Sequence, residues 1–488
     1  MKNYVTIEYD GLYIDGQWMN PSSADRIKVY STATEDYIGS VPEAKNADID
    51  NAVEAARRAF DDKKGWSTWT SAERVTVLKR FADEYESRGE EIARRVTAQN
   101  GMPTALSQKW ETTNPAQLLR FYADMVSGQQ EEIRQGVKGK KVLVTRSPIG
   151  VVGAIVPWNV PQSITFLKLA PSLAAGCTVV LKPSPETVLD AFLVAEAAHA
   201  AGLPAGVLNV VPAGGSVSAY LVSHPLVDKI SFTGSPEVGR LIGETCGRML
   251  RPVTLELGGK SAAIVLDDCD LSSSIDDIYR ASMTNNGQVC WLSTRILLPE
   301  SRFEEMLDII TAKISSLKVG DPFDPDTEVG PLVSKRHRER VEALIKASVE
   351  DGARILIGGK HPEGVKKGWF LEPTILVDVD PKSIAAQKEF FGPVLSIIKY
   401  TDEEHAIEIA NDSDYGLAGS VWSANFGRAV GVAKQVFTGT IGINGYATDP
   451  SSPFGGVKDS GLGRELGAEG LAHYQVLKSV YLLQPNDV

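Results

Sequence analysis

Cysteine is scarce in this sequence: its 488 residues include four cysteines, and none belongs to a Cys-x-x-Cys pair. Such scattered thiols argue against a disulfide framework and against a zinc site built on cysteine pairs. The six histidines lack ligand spacing, so we expect no metal. One of them, His337, falls in the charged run 335–340, which is typical of a solvated helix face. The cysteines are Cys177, Cys246, Cys269 and Cys290.

Long basic runs and long apolar runs are also missing. The formal net charge is -12, which disfavours nucleic acid as a partner because phosphate binding needs a basic surface. The longest apolar stretch, near 149–158, is far too short to span a bilayer, and the first residues have no signal-peptide pattern. A reactive thiol survives in a reducing compartment, so we expect a cytoplasmic protein without a membrane partner.

What the sequence has in quantity is an alternation of apolar strands and amphipathic helices. A hydrophobic content of 43% supports a sizeable core and more than one domain. The alternation predicts α/β architecture with parallel sheets covered on both faces. An Asp15-Gly16 pair predicts a hairpin near the start. The clearest predicted segments are strands at 151–156, 178–181, 207–211, 229–232 and 262–266, and helices at 162–175, 187–201 and 236–246.

Several polar residues follow these strands, where open parallel sheets bind their ligands. Asn159 has an amide able to donate to a developing oxyanion, although a turn asparagine between prolines is the simpler interpretation of that residue alone. Lys182 would suit ribose or phosphate, and a solvated loop lysine fits equally. Gly234 and Ser235 open a helix whose N-terminal amides suit a pyrophosphate, which is a weak signal in isolation.

Two further residues carry reactive groups. Glu256 lies in an apolar strand, where apolar neighbours would raise its pKa and suit it to act as a base; the alternative is a glutamate on a solvated strand face. The Gly-Lys-Ser at 259–261 is not a phosphate loop, because Thr254 stands where that motif needs a glycine. Cys290 lies in a polar Asn-Asn-Gly-Gln segment, typical of a turn. This context favours a nucleophile slightly over a buried structural thiol.

Seven motifs in this order together resemble the aldehyde dehydrogenase superfamily. The resemblance runs from about Ile14 to the C-terminus. It implies two Rossmann-like open parallel-sheet domains, one binding the cofactor and one catalytic, with a small β-flap for oligomerisation. The motifs are Pro157-Trp158-Asn159, Lys182-Pro183-Ser184, Phe232-Thr233-Gly234-Ser235, Glu256-Leu257-Gly258-Gly259-Lys260, Gly287-Gln288-Val289-Cys290, Glu389-Phe390-Phe391-Gly392-Pro393 and Pro453-Phe454-Gly455-Gly456-Val457-Lys458.

The resemblance assigns the chemistry to three residues. Cys290 is then the nucleophile that attacks an aldehyde carbon to give a thiohemiacetal. The Asn159 amide and the Cys290 backbone N–H stabilise the oxyanion, and Glu256 activates the water that hydrolyses the resulting thioester. Because CoA-acylating members usually lack this glutamate, a free carboxylic acid is the expected product.

The resemblance also implies an NAD(P) site. Lys182 would bind the adenosine ribose, Glu389 the nicotinamide ribose, and Phe391 would pack against the nicotinamide ring. NAD-preferring members commonly carry a glutamate where this chain has Pro185, with Glu186 next to it, so we expect NAD and leave NADP open. The expected cofactor-binding residues are Val156, Pro157, Trp158, Lys182, Ser184, Gly234, Ser235, Leu257, Glu389 and Phe391.

The neighbours of the thiol bear on the substrate. Trp291 and Leu292 predict a bulky apolar lining where many relatives have a cysteine or a small residue. We therefore expect a hydrophobic aldehyde (aliphatic, terpenoid or aromatic), unless Trp291 points into the core. The alternative is a semialdehyde dehydrogenase with a small polar substrate.

Two other classes of function compete with this one. The same thiol and glutamate could act as a cofactor-independent esterase, which the intact cofactor motifs make a side activity at most. A non-catalytic structural or binding protein is disfavoured by the joint presence of Cys290, Glu256 and Asn159.

By the same resemblance, the chain divides into an NAD(P)-binding domain at 1–131 and 148–257 and a catalytic thiol domain at 258–475. An oligomerisation flap takes 132–147 and 476–488. The alternating residues of the flap predict edge strands that need a partner, so we expect a homodimer or homotetramer.

Overall fold

The computed structural model describes residues 6–129, 131–137 and 140–482. Its strands are β1 Ile7–Glu8, β2 Leu12–Ile14, β3 Gln17–Met19, β4 Arg26–Tyr30, β5 Tyr37–Pro42, β6 Glu132–Gln135, β7 Lys141–Pro148, β8 Val151–Ile155, β9 Thr178–Lys182, β10 Leu208–Val210, β11 Lys229–Thr233, β12 Val253–Glu256, β13 Ala262–Val265, β14 Arg295–Pro299, β15 Arg354–Ile357, β16 Thr374–Val377, β17 Val394–Tyr400, β18 Gly419–Trp422, β19 Gly442–Ile443, β20 Gly461–Leu462 and β21 Gln475–Leu482.

The α-helices fill the segments between the strands. They are α1 Asn46–Asp61, α2 Ser71–Glu86, α3 Gly89–Asn100, α4 Thr104–Gln108, α5 Asn114–Ser127, α6 Pro161–Ala175, α7 Ala191–Ala200, α8 Gly215–Ser223, α9 Pro236–Arg248, α10 Leu271–Met283, α11 Phe303–Ser315, α12 Lys335–Glu350, α13 Ile384–Gln387, α14 Glu403–Asn411, α15 Phe426–Ala433 and α16 Gly467–Ala472. Within the described ranges, none of them combines the length and the apolar character needed to cross a membrane.

The first large sheet has eight strands in the order β20-β12-β11-β8-β9-β10-β2-β3. Its five central strands are parallel, and their side chains are almost all buried, as expected of a sheet with helices on both faces. The hairpin β2–β3 and the short β20 close its two edges in antiparallel pairing. The hairpin turns at Asp15 and Gly16 with φ of 54° and 73°, which confirms the predicted Asp-Gly turn.

The second large sheet has seven strands in the order β15-β16-β17-β14-β13-β18-β19. All its neighbouring pairs are parallel except the edge pair β15–β16. The chain passes from one sheet to the other through Gly258 and Gly259, between β12 and β13. The predicted α/β class with two parallel sheets is therefore confirmed. The exact domain boundaries remain a prediction.

The predicted flap is a separate antiparallel sheet of three strands, in the order β21-β7-β6. The pair β21–β7 runs from Gln475 opposite Pro148 to Leu482 opposite Lys141. Seven of the eight residues of β21 are exposed, including Leu477 at 60% and Tyr481 at 70%. Residues 138, 139 and 483–488 of the predicted flap lie outside the described residues.

One predicted helix is shorter than expected. The segment 187–201 is helical only over α7, Ala191–Ala200, after a separate 3-10 turn at Pro185–Thr187. The backbone of Leu189 is taken by tertiary contacts: its N–H donates to Gln99 Oε1 at 2.9 Å, and its carbonyl accepts from Arg95 at 2.7 Å. Side chains from α3 thus replace the helical hydrogen bonds that periodicity alone predicts.

Candidate active site

The thiol follows a tight turn at Asn285–Gly287 in which three consecutive residues have left-handed backbone, with φ of 53°, 58° and 73°. Asn286 holds this conformation, because its amide donates to Gly101 O at 2.9 Å and its oxygen accepts from Gly330 N at 2.6 Å. Only glycine fits at position 287, because a β-carbon there would collide with the carbonyl of Gly392. The polar segment is therefore a turn, as predicted, and it is buried and held in one conformation by these contacts.

Asn159 lies directly beside this turn. Its side-chain amide donates to Gln288 O at 2.8 Å, and its own carbonyl accepts from Asn285 Nδ2 at 3.1 Å. These bonds fix Asn159 against the segment that ends in Cys290. The structure thus brings the predicted oxyanion donor to the predicted nucleophile, although they are far apart in sequence.

The surroundings of the Cys290 thiol favour its protonated form. Burial raises the pKa of Cys290 above its ordinary value, and the charges of Glu389 and Glu256 raise it further, while the thiol's own backbone N–H acts in the opposite direction. Two carboxyl groups near one thiol make a thiolate costly. A thiolate at Cys290 is therefore favoured only when a base or a cation is nearby.

Glu256 is the last residue of β12 and is 3% exposed. Within the described part of the chain, neither of its carboxyl oxygens has a hydrogen-bond partner. Burial raises the pKa of Glu256 well above its usual range, the charge of Glu465 adds to the effect, and Lys168 opposes it. Gly455 leaves room for this carboxyl, because a β-carbon there would lie 2.5 Å from Oε1. The predicted solvated alternative for Glu256 is excluded by its burial.

A buried ion pair lies close to Glu256. Lys168 Nζ is 2.6 Å from Glu465 Oε1 and 2.8 Å from Thr233 Oγ1, and the two charged side chains are 0% and 3% exposed. Breaking such a pair would leave a buried charge without a partner. The pair therefore sets a fixed electrostatic environment for the glutamate.

A cavity of about 670 Å³ runs along the carboxyl ends of the parallel strands and reaches the thiol. It has the location that open α/β sheets give to their ligands. All ten of the expected cofactor-binding residues line it, together with Asn159 and Cys290. Glu256 adjoins it through Leu257 and Gly258, which are part of the lining.

At one end of the cavity, Lys182 is 6% exposed, and its ammonium donates no hydrogen bond to the described residues. Burial lowers the pKa of Lys182 to about 8, while the charge of Glu186 opposes that shift. Glu186 itself accepts from Ser184 Oγ at 2.5 Å. A buried ammonium with free donors, beside a carboxylate, suits the hydroxyls of a ribose.

At the other end, Glu389 packs against the link between the sheets. Its Oε1 accepts from Gly259 N at 2.9 Å, and a β-carbon on Gly258 would collide with Oε2. Burial raises the pKa of Glu389 to about 7. Phe391 has a φ of 58° and meets Trp158 edge to face, with ring centroids 5.4 Å apart.

His337 was expected on a solvated helix face, and that interpretation is wrong. It lines the cavity from α12, with Nε2 2.7 Å from Phe391 O and its ring 5.2 Å from Trp158. Burial lowers the pKa of His337 to about 4. The spacing of Arg336, His337 and Arg340 on one face of a helix is the signal that could have placed them together. Other cavity residues that the motifs did not predict are Gly215, Ser218, Ala219, Val222, Val238, Leu241, Ile242 and Thr245.

The residues after the thiol differ in their surroundings. Leu292 is 2% exposed in the core, so its predicted place in the substrate lining is wrong. Trp291 is half-buried and stacks on Tyr446 at 4.8 Å between ring centroids, and the tilted ring of Trp110 lies 6.1 Å from it. Burial raises the pKa of Tyr446, and the charges of Cys290 and Glu256 contribute, which places this row of rings beside the reactive groups.

The cavity extends along the carboxyl ends of the strands and reaches a thiol. This arrangement, with two parallel sheets, is the one expected of a nucleotide-dependent oxidoreductase. The chain belongs to the aldehyde dehydrogenase family, whose sequence model matches residues 18–480. The predicted family, fold class and enzyme class are confirmed.

Individual relatives cover nearly the whole chain. Geranial dehydrogenase of Castellaniella defragrans is 49% identical over 98% of this chain and 100% of its own length. The 3-succinoylsemialdehyde-pyridine dehydrogenase of a Pseudomonas species is 40% identical over 97% of this chain and 98% of its own. The crystal structure of a Mycobacterium tuberculosis aldehyde dehydrogenase complexed with NAD+ is 45% identical and superposes with a TM-score of 0.96, over 99% of each chain.

Proposed function

We propose that this protein oxidises a hydrophobic aldehyde to the free carboxylic acid with NAD, through a covalent intermediate on Cys290. The observation that carries the proposal is the cavity, which is lined by Asn159 and Cys290 together with all ten expected cofactor-binding residues. Aldehyde oxidation follows from the family, whereas the roles of single residues and the substrate are proposed from the geometry.

The cavity suits a dinucleotide. The Gly234–Ser235 turn lies at the N-terminal end of α9 and lines the cavity, where the positive end of the helix dipole suits a pyrophosphate, and Lys182 has free donors for a ribose. Glu389 and Phe391 flank the end that adjoins the thiol. The cofactor, when bound, supplies the hydride acceptor. Glu186 beside Lys182 favours NAD, because a carboxylate there repels a 2′-phosphate.

Cys290 would attack the aldehyde carbon, forming a carbon–sulfur bond and an oxyanion. The Asn159 amide has one N–H bonded to Gln288 O and a second available for that oxyanion. The backbone N–H of Cys290 is the other donor. Removal of one such donor typically costs about 2.7–4 kcal/mol of transition-state stabilisation. Loss of hydride from the thiohemiacetal then leaves a thioester.

Glu256 would hydrolyse that thioester by taking a proton from water. Its carboxyl has no partner that would compete for the water, and its high pKa makes it a strong base once ionised. The product is then a free acid, and the thiol is restored.

The substrate proposal rests on the aromatic row Trp110, Trp291 and Tyr446 beside the thiol. Such a wall buries apolar surface and offers no charge to a polar semialdehyde. The 49% identical relative acts on geranial, a terpenoid aldehyde. The 40% identical relative acts on a semialdehyde that carries a pyridine ring, so a polar aldehyde with an aromatic end is the second candidate.

The experiment is to follow reduced nicotinamide by absorbance, with NAD and NADP in parallel and with octanal, geranial, benzaldehyde and succinic semialdehyde as substrates. Cys290→Ala is expected to abolish turnover, and Glu256→Gln to stop after one turnover per site. Ester hydrolysis without cofactor measures the side activity. Failure of every aldehyde, with folded protein that binds NAD, would contradict the proposal.

The flap is proposed as the contact in a homodimer or homotetramer. Its strand β21 exposes apolar side chains, among them Leu477 and Tyr481, which a partner subunit would cover. Sedimentation of the protein and of Leu477→Glu would test this. The cytoplasmic location also remains a prediction.

A further inference from the structure

The long helical segment that leads up to the active site is interrupted by one turn of π-helix. It lies at Lys109–Thr113, between α4 and α5. Such a bulge inserts an extra residue into a helix and is frequent at functional sites. Trp110 and Glu111 are consecutive residues of this turn, and their side chains point in different directions. Trp110 faces Trp291, next to the thiol, while Glu111 is fully buried.

Glu111 contacts the start of α6. Its Oε2 accepts the N–H of Gln162 at 2.6 Å, and its Oε1 has no partner in the described part of the chain. The residue at the cap position of α6, Val160, has no side-chain cap hydrogen bond. Glu111 therefore supplies from another helix the cap that α6 lacks locally.

Side-chain hydroxyls also bind the main-chain carbonyls of the π-turn. Ser163 Oγ, in the first turn of α6, donates to the carbonyl of Trp110. Tyr85 Oη donates to the carbonyl of Glu111 at 2.6 Å. The π-turn therefore cannot shift without shifting the start of α6.

Asn159 lies two residues before α6 begins at Pro161. Its amide has to aim at the reacting carbonyl, so its position depends on where α6 starts. On the other side of Glu111, Trp110 belongs to the aromatic row beside Cys290. One buried carboxyl thus supports both the oxyanion donor and the substrate wall.

We propose that Glu111 is a positioning residue of the active site, which holds the Asn159 amide and the Trp110 ring in register by capping α6. This inference rests on the proposed function, because it takes Asn159 as the oxyanion donor. Glu111 touches no reacting atom; it acts through Asn159 and Trp110.

A second buried carboxyl, that of Asp190, lies near Glu111 and accepts hydrogen bonds from two side-chain amides. Gln162 Nε2 donates to Asp190 Oδ2 at 2.5 Å, and Gln99 Nε2 donates to Asp190 Oδ1 at 2.7 Å. Burial raises the pKa of Glu111 to about 8, with the charge of Asp190 adding to it and the Gln162 N–H opposing it. The raised pKa favours the protonated carboxyl at pH 7, and glutamine resembles that form in shape and charge.

The test is a double-mutant cycle. Glu111→Leu removes the acceptor and keeps an apolar side chain, and it is measured alone and in Asn159→Ala. We expect Glu111→Leu to lower the hydride-transfer rate roughly ten- to a hundredfold, the loss that a misplaced reacting group produces. In Asn159→Ala, the same change is expected to cost much less, because residues that act through one another are not additive.

Three controls separate positioning from general damage. Ser107→Ala removes another buried hydrogen bond, from Ser107 Oγ to Ala93 O, on the same helical segment without touching α6. It is expected to change stability but not the hydride-transfer rate. Glu111→Gln is expected to rescue most of the rate at pH 7. The Kd for NAD, measured by fluorescence, is expected to stay unchanged in all these variants.

The outcomes are distinct. Equal losses in the wild-type and Asn159→Ala backgrounds would overturn the inference, and so would a loss in Glu111→Gln as large as in Glu111→Leu. If Glu111→Leu does not fold, Glu111→Asp replaces it in the cycle, since the shorter chain withdraws the carboxyl from Gln162. A wild-type protein without aldehyde oxidation would instead contradict the proposed function.

Discussion

The side-chain amide of Asn159 is hydrogen-bonded to the carbonyl of Gln288, two residues before Cys290, with 2.8 Å between nitrogen and oxygen. Because Gln288 is itself held by its Oε1, which accepts from Val333 N at 3.0 Å, the amide is oriented by a fixed part of the protein. An oxyanion donor is effective only when it is already aimed at the position where charge develops. The contact therefore gives Asn159 the preorganisation that the proposed chemistry needs.

Asn159→Ala is expected to lower kcat by a factor of roughly 10²–10³, the usual effect of losing one oxyanion donor. The affinity for NAD should change little, because the backbone of the Pro157–Asn159 segment stays in place. Stopped-flow absorbance gives the rate, and equilibrium fluorescence gives the Kd. A parallel loss of NAD binding would show that Asn159 supports the cofactor site rather than the oxyanion.

Gly455 gives a second prediction, since a β-carbon there would lie 2.5 Å from Glu256 Oε1, at a φ of 149° that favours glycine. Gly455→Ala should displace the carboxyl and slow thioester hydrolysis while leaving the first turnover. Rapid mixing should then show a burst of reduced nicotinamide followed by a slow steady state, as in Glu256→Gln. Gly431→Ala, where a β-carbon meets nothing within 4 Å, is the control. Loss of the burst itself would contradict this assignment.

Much of this site could be predicted from short segments of sequence. Lys182, Glu256 and the Gly234–Ser235 turn each follow a strand whose apolar pattern is clear, and strand ends of a parallel sheet meet at one edge. Residues such as His337 and Glu111 could not be found this way. Their positions depend on how α12 and the π-turn pack against distant parts of the chain, and helical periodicity alone does not show which neighbours that face will meet.

The pH dependence of turnover follows from the shifted groups. Burial raises the pKa of both Cys290 and Glu256, and both act in their deprotonated forms. Raising the pH increases the fraction of thiolate and of carboxylate, so kcat/KM is expected to rise from pH 6 to pH 9. The burst rate of Glu256→Gln isolates the thiol, and it should rise over the same range. A rate that falls above pH 7 would be inconsistent with these roles.

Selection between NAD and NADP is expected to depend on Glu186. Its carboxylate accepts a hydrogen bond from Ser184 Oγ close to Lys182, and Pro185 stands between these two residues in the sequence. Glu186→Gln should tighten NADP binding and affect NAD little, because only NADP has the additional phosphate that the carboxylate repels. Fluorescence titration gives both Kd values. Glu350→Gln, at the far end of α12, is the charge-matched control. An equal gain in NADP affinity in both variants would show that Glu186 does not determine the cofactor preference.

The aromatic row beside the thiol makes the substrate preference testable by size and charge. Trp291 is stacked on Tyr446 and flanked by Trp110, so its ring is held in place and contributes a large apolar surface. Trp291→Ala should lower kcat/KM for octanal and geranial by roughly tenfold or more, since burying a large apolar side chain against a ligand is worth about 1.5–3 kcal/mol. The loss for acetaldehyde should be small, because it is too short to reach the ring. Trp422→Phe, a buried ring in the other sheet, controls for destabilisation. A wild-type preference for succinic semialdehyde would contradict this prediction. An equal effect of Trp291→Ala on short and long aldehydes would also contradict it and would show that these rings stabilise the fold without contacting the substrate.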